Sequence, residues 1–386
     1  MIVATTCEDR AAEPRVAITP ETAKKLAALG ATVKIETGAG SASGIPDREY
    51  EAAGATIVKT AADALSAADI VLKVRRPSVL ELSQMKKGAL VIAIMDPYGH
   101  EEALRAMAGA GVAAFAMELM PRITRAQVMD VLSSQANLAG YRAVIDAAAE
   151  YGRALPMMMT AAGTVPAARI FIMGAGVAGL QAVATARRLG AVVTATDVRP
   201  AAKEQVESLG AKFIAVEDEE FKQAETAGGY AKEMSEAYKA KQGELVASHI
   251  AKQDIVVTTA LIPGRPAPRL VSSAMVASMR PGSVVVDLAV ERGGNVEGAK
   301  FGETVVTPNG VKIVGHANVP GRLAASSSAL YARNLYAFTE TLIDKASKAI
   351  AVKWDDELVK ATLLTRDGAI VHQSFAPKAI AANGDA

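Results

Sequence analysis

This chain has very little cysteine and no marked excess of either positive or negative charge. Cys7 is the one cysteine among 386 residues, which excludes an internal disulfide framework and a cluster of cysteine metal ligands. Basic and acidic residues nearly balance, with a formal net charge of +1. The chain therefore lacks the excess of basic residues that is typical of proteins that bind nucleic acid or anionic lipid. The four histidines show no metal-ligand spacing with acidic residues, so we predict no metal site.

Long apolar runs and a targeting segment are missing as well. The longest apolar run, near Ala89 to Met95, has strand length and falls far short of the roughly 18 residues that cross a membrane. The first residues lack the pattern of a signal peptide, and we expect a cytoplasmic location. A chain of 386 residues with 51% hydrophobic and 22% charged residues indicates a globular protein of two domains.

The most informative feature that is present is a strand–turn–helix–strand unit. An apolar run, Ile170–Met173, predicts a buried parallel strand, and a G-x-G-x-x-G turn follows at Gly174, Gly176 and Gly179. An alanine-rich helix and a second apolar strand come next, and the unit closes on Asp197. This is the dinucleotide-binding fingerprint in the structural context that it requires.

Each part of this fingerprint has a physical task. Gly174 permits the tight turn, Gly176 lets backbone N–H groups approach a pyrophosphate, and Gly179 lets helix and strand pack closely. Asp197 is placed to accept hydrogen bonds from a ribose. Its charge would repel a 2′-phosphate, so we expect NAD rather than NADP despite the nearby Arg199. The alternative is a glycine-rich turn without a ligand, in which Asp197 merely caps the next helix.

Apolar runs alternate with helical patterns along both halves of the chain, which favours parallel sheets covered by helices. The strands predicted in the first half are Ile2–Thr5, Thr32–Glu36, Thr56–Val58, Ile70–Val74, Leu90–Ile94 and Val112–Met117. The strands predicted in the second half are Arg169–Met173, Val192–Thr196, Lys212–Val216, Ile255–Thr259, Val284–Leu288 and Val311–Val314. We predict an α/β protein with two Rossmann-like, doubly wound parallel-sheet domains, joined by two long helices, with a cleft between them.

The domain boundaries follow from the same alternation. The predicted first domain is discontinuous and combines residues 1–126 with residues 321–375. Residues 127–320 form the predicted NAD-binding domain, with an insertion from Glu217 to Gln242 between its third and fourth predicted strands. Residues 376–386 show no periodicity and are predicted to be a flexible tail.

A polar segment follows the last strand of the first domain and enters a long helix predicted from Gln127 to about Arg153. Arg122 can fork onto a pyrophosphate or a carboxamide oxygen. Gln127, Asp130 and Ser133 recur at a spacing of three residues and would share one helical face, which could hold a ribose and a carboxamide. The alternative is a solvated helix start, where such residues are ordinary.

Several longer motifs are similar to those of a known family. They are Met117-Glu-Leu-Met-Pro-Arg-Ile-Thr-Arg-Ala-Gln, Leu132-Ser-Ser-Gln-Ala-Asn-Leu-Ala-Gly-Tyr-Arg-Ala-Val, Pro156-Met-Met-Met-Thr-Ala-Ala-Gly-Thr-Val, Ala224-Glu-Thr-Ala-Gly-Gly-Tyr-Ala-Lys-Glu-Met, Thr258-Thr-Ala-Leu-Ile-Pro-Gly and Val314-Gly-His-Ala-Asn-Val-Pro. Over residues 1 to about 373 the chain resembles the soluble NAD(H)-binding alpha-subunit component of proton-translocating NAD(P) transhydrogenase.

This resemblance implies an activity and a set of partners. NAD(H) on this chain would exchange hydride with NADP(H) on a separate component, and the exchange would be coupled to proton movement through membrane subunits. The resemblance further implies a homodimer, held peripherally on the cytoplasmic face of the inner membrane by those partners. The physiological direction of hydride transfer and the proton stoichiometry stay open.

The resemblance also implies roles for individual residues. Arg122, Gln127, Asp130 and Ser133 would contact the nicotinamide and position it, without acid–base work. A mobile loop near 217–242 that carries Tyr230 would close over the cofactor. The glycine pair before Tyr230 suits a hinge, and the alternative is a disordered insertion. The predicted cofactor site further comprises Ile123, Thr124, Gly174, Gly176, Val177, Gly179, Asp197, Val198, Arg199, Gly229, Gln242 and Leu261.

Alanine dehydrogenase is a relative of this family, and the chain resembles it around Arg15, around Lys73 and in the glycine turn. Amino-acid oxidation needs a base near the nicotinamide, and the alanine dehydrogenase pattern has a histidine where this chain has Met95-Asp96-Pro97. Hydride exchange between two nicotinamides takes up no proton, so the missing histidine favours a transhydrogenase component. Arg15 and Lys73 are then interpreted as structural charges, and the role of His316 stays open.

Two other functions remain as alternatives from the sequence. One is a self-contained, NAD-dependent amino-acid dehydrogenase, which would act without a partner. The other is a non-enzymatic NAD-binding module, which would support no hydride transfer with any NADP-binding component.

Overall fold

The polypeptide folds in two units, each built around a mainly parallel sheet. A computed structural model describes residues 1–223, 234–262 and 264–376. The first unit combines Met1–Gln135 with the residues from Gly321 onward, and the second unit is Ala136–Pro320. Gly229, Tyr230 and the tail from residue 377 lie outside the described residues, so the predictions made for them stay predictions.

The first stretch of the chain alternates strands and helices. Its strands are β1 (Ile2–Thr5), β2 (Thr32–Glu36), β3 (Thr56–Val58), β4 (Ile70–Arg75), β5 (Leu90–Ile94) and β6 (Ala113–Ala116). Its helices are α1 (Pro20–Ala28), α2 (Asp47–Ala52), α3 (Ala61–Leu65), α4 (Val79–Gln84) and α5 (Glu101–Gly109). Short 3₁₀ helices are Ser41–Ser43, Met117–Leu119 and Thr124–Met129.

The second unit is reached within a long helix, α6 (Val131–Glu150). Its strands are β7 (Met158–Thr160), β8 (Gly163–Val165), β9 (Arg169–Met173), β10 (Val192–Thr196), β11 (Lys212–Phe213), β12 (Ile255–Thr258), β13 (Val284–Asp287), β14 (Thr304–Val306) and β15 (Lys312–Val314). Its further helices are α7 (Val177–Arg188), α8 (Ala202–Ser208), α9 (Glu219–Lys222), α10 (Glu236–Ile250) and α11 (Ser273–Ser278), with a 3₁₀ helix at Val290–Arg292.

The chain then returns to the first unit through the 3₁₀ helix Val319–Leu323 and the long helix α12 (Ala324–Thr341). A small hairpin, β16 (Ile343–Asp344) with β17 (Ala349–Ile350), precedes α13 (Glu357–Thr362). The last strands, β18 (Leu363–Arg366) and β19 (Ala369–Ile370), pair antiparallel, and β18 extends the first sheet beside β6.

Both sheets have the same winding. The first has the order β19-β18-β6-β5-β4-β1-β2-β3, and the second has the order β11-β10-β9-β12-β13-β15-β14. When the parallel strands of each are numbered along the chain, both orders are 3-2-1-4-5-6, the doubly wound arrangement of dinucleotide-binding folds. The α/β fold with two doubly wound parallel sheets that the sequence predicts is therefore confirmed.

The strand order locates one switch point in each sheet. The winding reverses between β1 and β4 in the first unit and between β9 and β12 in the second. Ligands of open α/β sheets bind outside the carboxyl ends of the strands at such a point. The glycine turn follows β9 directly, so it lies at the switch point of the second sheet.

Burial explains why the strands read as continuous apolar runs. Every residue of β12 and β13 is buried, and so are residues 170–173 of β9. These strands are covered on both faces, which calls for Val and Ile at successive positions rather than in alternation. Gly140 of α6 serves a close approach to α7, because a Cβ there would lie 2.0 Å from the carbonyl oxygen of Ala178.

The predicted elements differ from the observed ones in a few places. The strand predicted over Lys212–Val216 is shorter, Lys212–Phe213, and the hairpin β7–β8 was not predicted. The long helix predicted from Gln127 begins later, at Val131, after a 3₁₀ turn. Among the residues that the structure describes, no helix combines the length and apolar character needed to cross a membrane.

Candidate functional site

The three glycines of the turn after β9 are glycines for different reasons. Gly174 has φ +105, and a Cβ there would lie 2.5 Å from the hydroxyl of Thr259. A Cβ on Gly179 would lie 1.7 Å from the carbonyl oxygen of Gly174, so packing of α7 on β9 requires its absence. Gly176 has an ordinary φ of −75, and a Cβ there would meet no described atom within 4 Å. Neither packing nor backbone conformation therefore requires glycine at Gly176.

The space beside Gly176 fits a bound phosphate. Gly176 is the N-cap of α7 and forms no side-chain cap, so the N–H groups of the first helical turn are left for another acceptor in the described structure. The aligned peptide dipoles of a helix favour negative charge at this end. The residues present therefore fit the pyrophosphate of a dinucleotide, with Val177 exposed at the rim.

Asp197 is held by the protein in more ways than the sequence indicates. Its Oδ2 accepts the N–H of Ala175 at 2.7 Å, inside the glycine turn. Its two oxygens also accept from Arg199: the backbone N–H and Nε at 2.9 Å each and Nη2 at 3.0 Å. A carboxylate offers about four acceptor positions, so a ribose hydroxyl at Asp197 must compete with Arg199. Asp197 therefore stabilises the glycine turn, and it lies at the carboxyl edge of the sheet, directly after β10.

The other predicted residues of the second unit lie at the same carboxyl edge or beyond it. The Gln242 side chain joins the end of β10 to the segment after β11: its Oε1 accepts the N–H of Val216 at 2.8 Å, and its Nε2 donates to the hydroxyl of Thr196 at 3.2 Å. Val198 follows β10 and Leu261 follows β12, and both side chains are exposed.

Thr259 is a functional candidate that the sequence reasoning missed. It follows β12 at the switch point, and its hydroxyl donates to the carbonyl oxygen of Gly174 at 3.1 Å. It therefore joins the loop after β12 to the glycine turn. The available signal was a polar residue directly after an apolar strand, where parallel strands present their loops to ligands.

The polar segment of the first unit corrects the prediction of a shared helical face. Residues Thr124–Met129 form a 3₁₀ helix and α6 begins at Val131, so Gln127, Asp130 and Ser133 do not lie along one α-helix. Asp130 is extended and caps α6, with Oδ1 accepting the N–H of Ser133 at 2.8 Å and Oδ2 accepting its hydroxyl at 2.5 Å. The short carboxylate competes for free N–H groups and so ends one helix and starts the next.

The same segment is anchored from other elements of the first unit. Arg125 forks onto the carboxylate of Asp356 with two contacts of 2.9 Å. Asn334 of α12 donates to the carbonyl oxygen of Val128 at 2.8 Å and accepts the Ser134 hydroxyl at 2.7 Å. Ile123 packs against the core, whereas the side chains of Arg122, Thr124 and Gln127 are exposed. The backbone that carries these side chains is thus held on both sides.

The residues shared with the alanine dehydrogenase pattern form buried ion pairs. Arg15 donates to Glu13 at 2.7 and 2.6 Å and to Gln135 at 2.8 Å. Lys73 donates to Glu81 at 2.6 Å and lies 3.5 Å from Glu8. Burial opposes the charge of Lys73, but these two carboxylates outweigh it and raise the pKa of Lys73 above its ordinary value. Both cations are held by carboxylates of the same unit.

Where the alanine dehydrogenase pattern has its histidine, this chain has a fixed backbone turn. Asp96 has φ +48, and the carbonyl oxygens of Met95 and Asp96 accept from Arg76 at 3.1 and 2.9 Å. The carboxylate of Glu118 accepts both N–H groups of this pair. His316 belongs to the second unit, where its Nδ1 lies 3.0 Å from Asp146. In the described ranges, no group of His, Cys, Asp and Glu converges to hold a metal ion.

The strand order, the open Gly176 turn and the acid at the end of β10 define a doubly wound α/β protein with a dinucleotide-binding turn. Two family models divide the chain between them: alanine dehydrogenase/PNT, N-terminal domain, matches residues 4–139, and alanine dehydrogenase/PNT, C-terminal domain, matches residues 143–373. The chain belongs to this family.

Within the family, the similarity is greater to transhydrogenase subunits than to alanine dehydrogenases. An NAD(P) transhydrogenase alpha-subunit polypeptide of Rhodospirillum rubrum is 56% identical over 380 residues, covering 97% of this chain and 99% of the relative. The crystal structure of transhydrogenase from Sinorhizobium meliloti shares 66% identity at a TM-score of 0.88, covering 96% of this chain and all (100%) of that one. Alanine dehydrogenase of Mycolicibacterium smegmatis is 30% identical over 384 residues, covering 97% of this chain and 96% of the relative.

Proposed function

We propose that this chain is the NAD(H)-binding component of a proton-translocating transhydrogenase. NAD(H) held here would exchange hydride directly with NADP(H) on a partner component, and membrane subunits would couple the exchange to proton translocation. The observation that carries the proposal is the open turn at Gly176, a pyrophosphate cradle on a chain that matches transhydrogenase alpha subunits over nearly its full length.

The bound nicotinamide would supply the hydride chemistry, and the protein would supply position. Hydride passes from one ring to the other with no proton taken up, so the site needs no general acid or base. Correct placement of two reactants can account for a large part of such a rate. We assign Arg122, Gln127, Asp130 and Ser133 to holding the nicotinamide end. The capped start of α6 and the anchored 3₁₀ segment hold the backbone that carries these side chains.

We further propose that Asp197 selects NAD(H) over NADP(H). A 2′-phosphate would meet the carboxylate charge, and Arg199 is already neutralised by that carboxylate. Changing Asp197 to Asn removes the charge and releases Arg199 for a phosphate. We expect the preference for NADH over NADPH, measured as the ratio of dissociation constants, to fall by about tenfold. An unchanged ratio would contradict the selective role.

Cofactor binding by the purified chain tests the proposal at its first step. We expect NADH to bind with a saturable change in its fluorescence, and NADPH to bind at least about tenfold more weakly. Equal affinity for the two nucleotides would refute the assignment of NAD(H) to this chain.

A self-contained alanine dehydrogenase is the second candidate, favoured by the 30% identity to that enzyme and by the presence of Arg15 and Lys73. It would oxidise alanine with NAD and no partner. The fixed turn at Met95–Asp96 and the pairing of both cations with carboxylates support the transhydrogenase component instead.

The proposed function also requires an NADP(H) site and a proton path. We propose that the NADP(H) site and the proton path belong to other polypeptides. Docking onto them would place this chain peripherally on the cytoplasmic face of the inner membrane. The names of the relatives, as alpha subunits of NAD(P) transhydrogenase, support an assembly of this kind.

We also propose a homodimer that uses the hairpin β7–β8. Every residue of both strands is exposed, and the apolar side chains of Met157 and Met159 are 63% and 72% accessible. Such an apolar hairpin gains stability by burial against a second copy. The M157E/M159E variant should shift the sedimenting species from dimer to monomer. V306E, which alters a 64% exposed residue of β14, is the matched control and should leave the dimer intact.

A further inference from the structure

The loop from Ala260 to Leu270 follows β12 at the switch point of the second sheet. It includes Pro263, Pro266 and Pro268, and none of its described residues is in a helix or strand. Leu261 and Ile262 expose 52% and 46% of their surface there. Prolines lack an N–H, so such a loop has few backbone hydrogen bonds to define its shape. Something else must hold Leu261 in place at the edge of the sheet.

The fully buried side chain of Asn295 closes this loop. Its Oδ1 accepts the N–H of Ala260 at 3.0 Å. Its Nδ2 donates to the carbonyl oxygens of Ala260 at 2.9 Å and Pro268 at 2.8 Å. Its own carbonyl oxygen accepts the N–H groups of Leu270 at 2.8 Å and Val271 at 3.0 Å. One residue therefore satisfies both ends of the loop, and its amide uses both donors and its acceptor.

Asn295 is itself fixed to the sheet. Asp287 ends β13, and its carboxylate accepts the N–H groups of Ala289 at 2.8 Å and Val296 at 2.9 Å. Gly294 has φ +77, and a Cβ there would lie 2.7 Å from that carboxylate. The segment that presents Asn295 is thus tied down on either side of it. A series of hydrogen bonds therefore connects the end of β13, through Val296 and Asn295, to Ala260, the residue that precedes Leu261.

We propose that Asn295 is a positioning residue of the dinucleotide site, acting through the loop that carries Leu261. The inference rests on the proposed function, because it needs a dinucleotide at the carboxyl edge of this sheet. Two contacts join the loop to that edge: Asn295 holds Ala260, and the hydroxyl of Thr259, one residue earlier, binds the carbonyl oxygen of Gly174 in the glycine turn. A loosened loop would raise the cost of ordering Leu261 against the cofactor.

A second asparagine supplies the matched control. Asn309 donates to the carbonyl oxygens of Val276, Ala277 and Met279 at 3.2 Å each and accepts the hydroxyl of Thr307 at 2.7 Å. It lies just before β15, at the amino edge of the same sheet, opposite the ligand edge. Its side-chain amide has four hydrogen-bond contacts and that of Asn295 has three, so the loss of Asn309 removes at least as many contacts.

The test compares Asn295→Ala with Asn309→Ala in the purified full-length chain. Both should lower the melting temperature, because each removes side-chain hydrogen bonds to backbone carbonyl oxygens. NADH affinity, measured by fluorescence well below both melting temperatures, should fall by about tenfold in Asn295→Ala and stay unchanged in Asn309→Ala. Equal affinity of Asn295→Ala and the wild type would overturn the positioning role while leaving the proposed function intact. Failure of the wild type to bind NADH would overturn both.

A measurement on the wild type keeps the inference testable if Asn295→Ala does not fold. NADH should slow hydrogen exchange at the amides of Ala260 and Leu261, because the cofactor would further restrict a loop already bonded to Asn295. The amide of Val311, which bonds to Thr307 beside Asn309, should exchange at the same rate with and without NADH. Saturating NADH with no protection at Ala260 and Leu261 would contradict the proposal.

Discussion

Replacing Gly176 by Ala should weaken NADH binding by about tenfold or more with little loss of stability. The added methyl group meets no described atom within 4 Å, and φ at this position is −75, so the folded protein accommodates alanine. The same methyl group would occupy the space through which a pyrophosphate reaches the N–H groups of α7. Titration of NADH fluorescence and a thermal melt on the same sample measure the two effects.

Gly179→Ala is the matched comparison for this prediction. Its Cβ would lie 1.7 Å from the carbonyl oxygen of Gly174, so α7 must shift away from β9. We expect a loss of about 1–3 kcal/mol in the free energy of unfolding, as for other overpacked sites. If Gly176→Ala instead lowered stability and left NADH affinity unchanged, the turn would be structural and would not cradle a phosphate.

Replacing Gln127 by Ala should slow hydride transfer by about 10²-fold, because small errors in placing two reacting rings are costly. Gln127 is exposed on a 3₁₀ turn, and its side chain forms no hydrogen bond to any residue in the described part of the chain. Its loss should therefore leave the melting temperature unchanged. The rate is measured by stopped flow with the partner component present.

The exposed Gln205 of α8 provides the control for Gln127. Gln205→Ala removes the same amide from a helix that carries none of the proposed nicotinamide contacts, and it should transfer hydride at the wild-type rate. A Gln127→Ala variant that also kept the wild-type rate would refute the positioning role assigned to Gln127.

The features of the fold that the sequence predicts are those set by local geometry. The apolar runs of β9, β12 and β13 need burial on both faces, and the glycines after β9 need a turn that few other residues permit. Both signals lie within a few residues of chain, so they can be read without the structure. The doubly wound arrangement was predicted from strands and helices that alternate along each half of the chain.

The prediction that α6 begins at Gln127 is wrong, because the same spacing of polar residues fits an α-helix and a 3₁₀ helix. Polar residues every three positions occur on an α-helix and also along a 3₁₀ turn followed by a capped helix. The carboxylate of Asp130 accepts the N–H and the hydroxyl of Ser133, and this cap starts α6 after Asp130. The spacing of the residues does not show that such a cap forms.

The positions that sequence reasoning missed depend on contacts between distant residues. Thr259 binds Gly174 across 85 positions, and Asn295 binds Ala260 across 35. An asparagine after two glycines predicts a turn and gives no indication of which loop its amide will hold. The sequence likewise predicts an acid at Asp197 but not that Ala175 and Arg199 share its oxygens.

Reduction of an NAD analogue by NADPH distinguishes a transhydrogenase component from an alanine dehydrogenase and from a plain NAD-binding module. The purified chain is assayed alone, with membranes bearing the other transhydrogenase subunits, and with alanine in place of NADPH. We expect reduction by NADPH only when chain and membranes are combined, and no oxidation of alanine in any mixture. Alanine oxidation by the chain alone, or NADH binding with no transfer in the combined mixture, would contradict it.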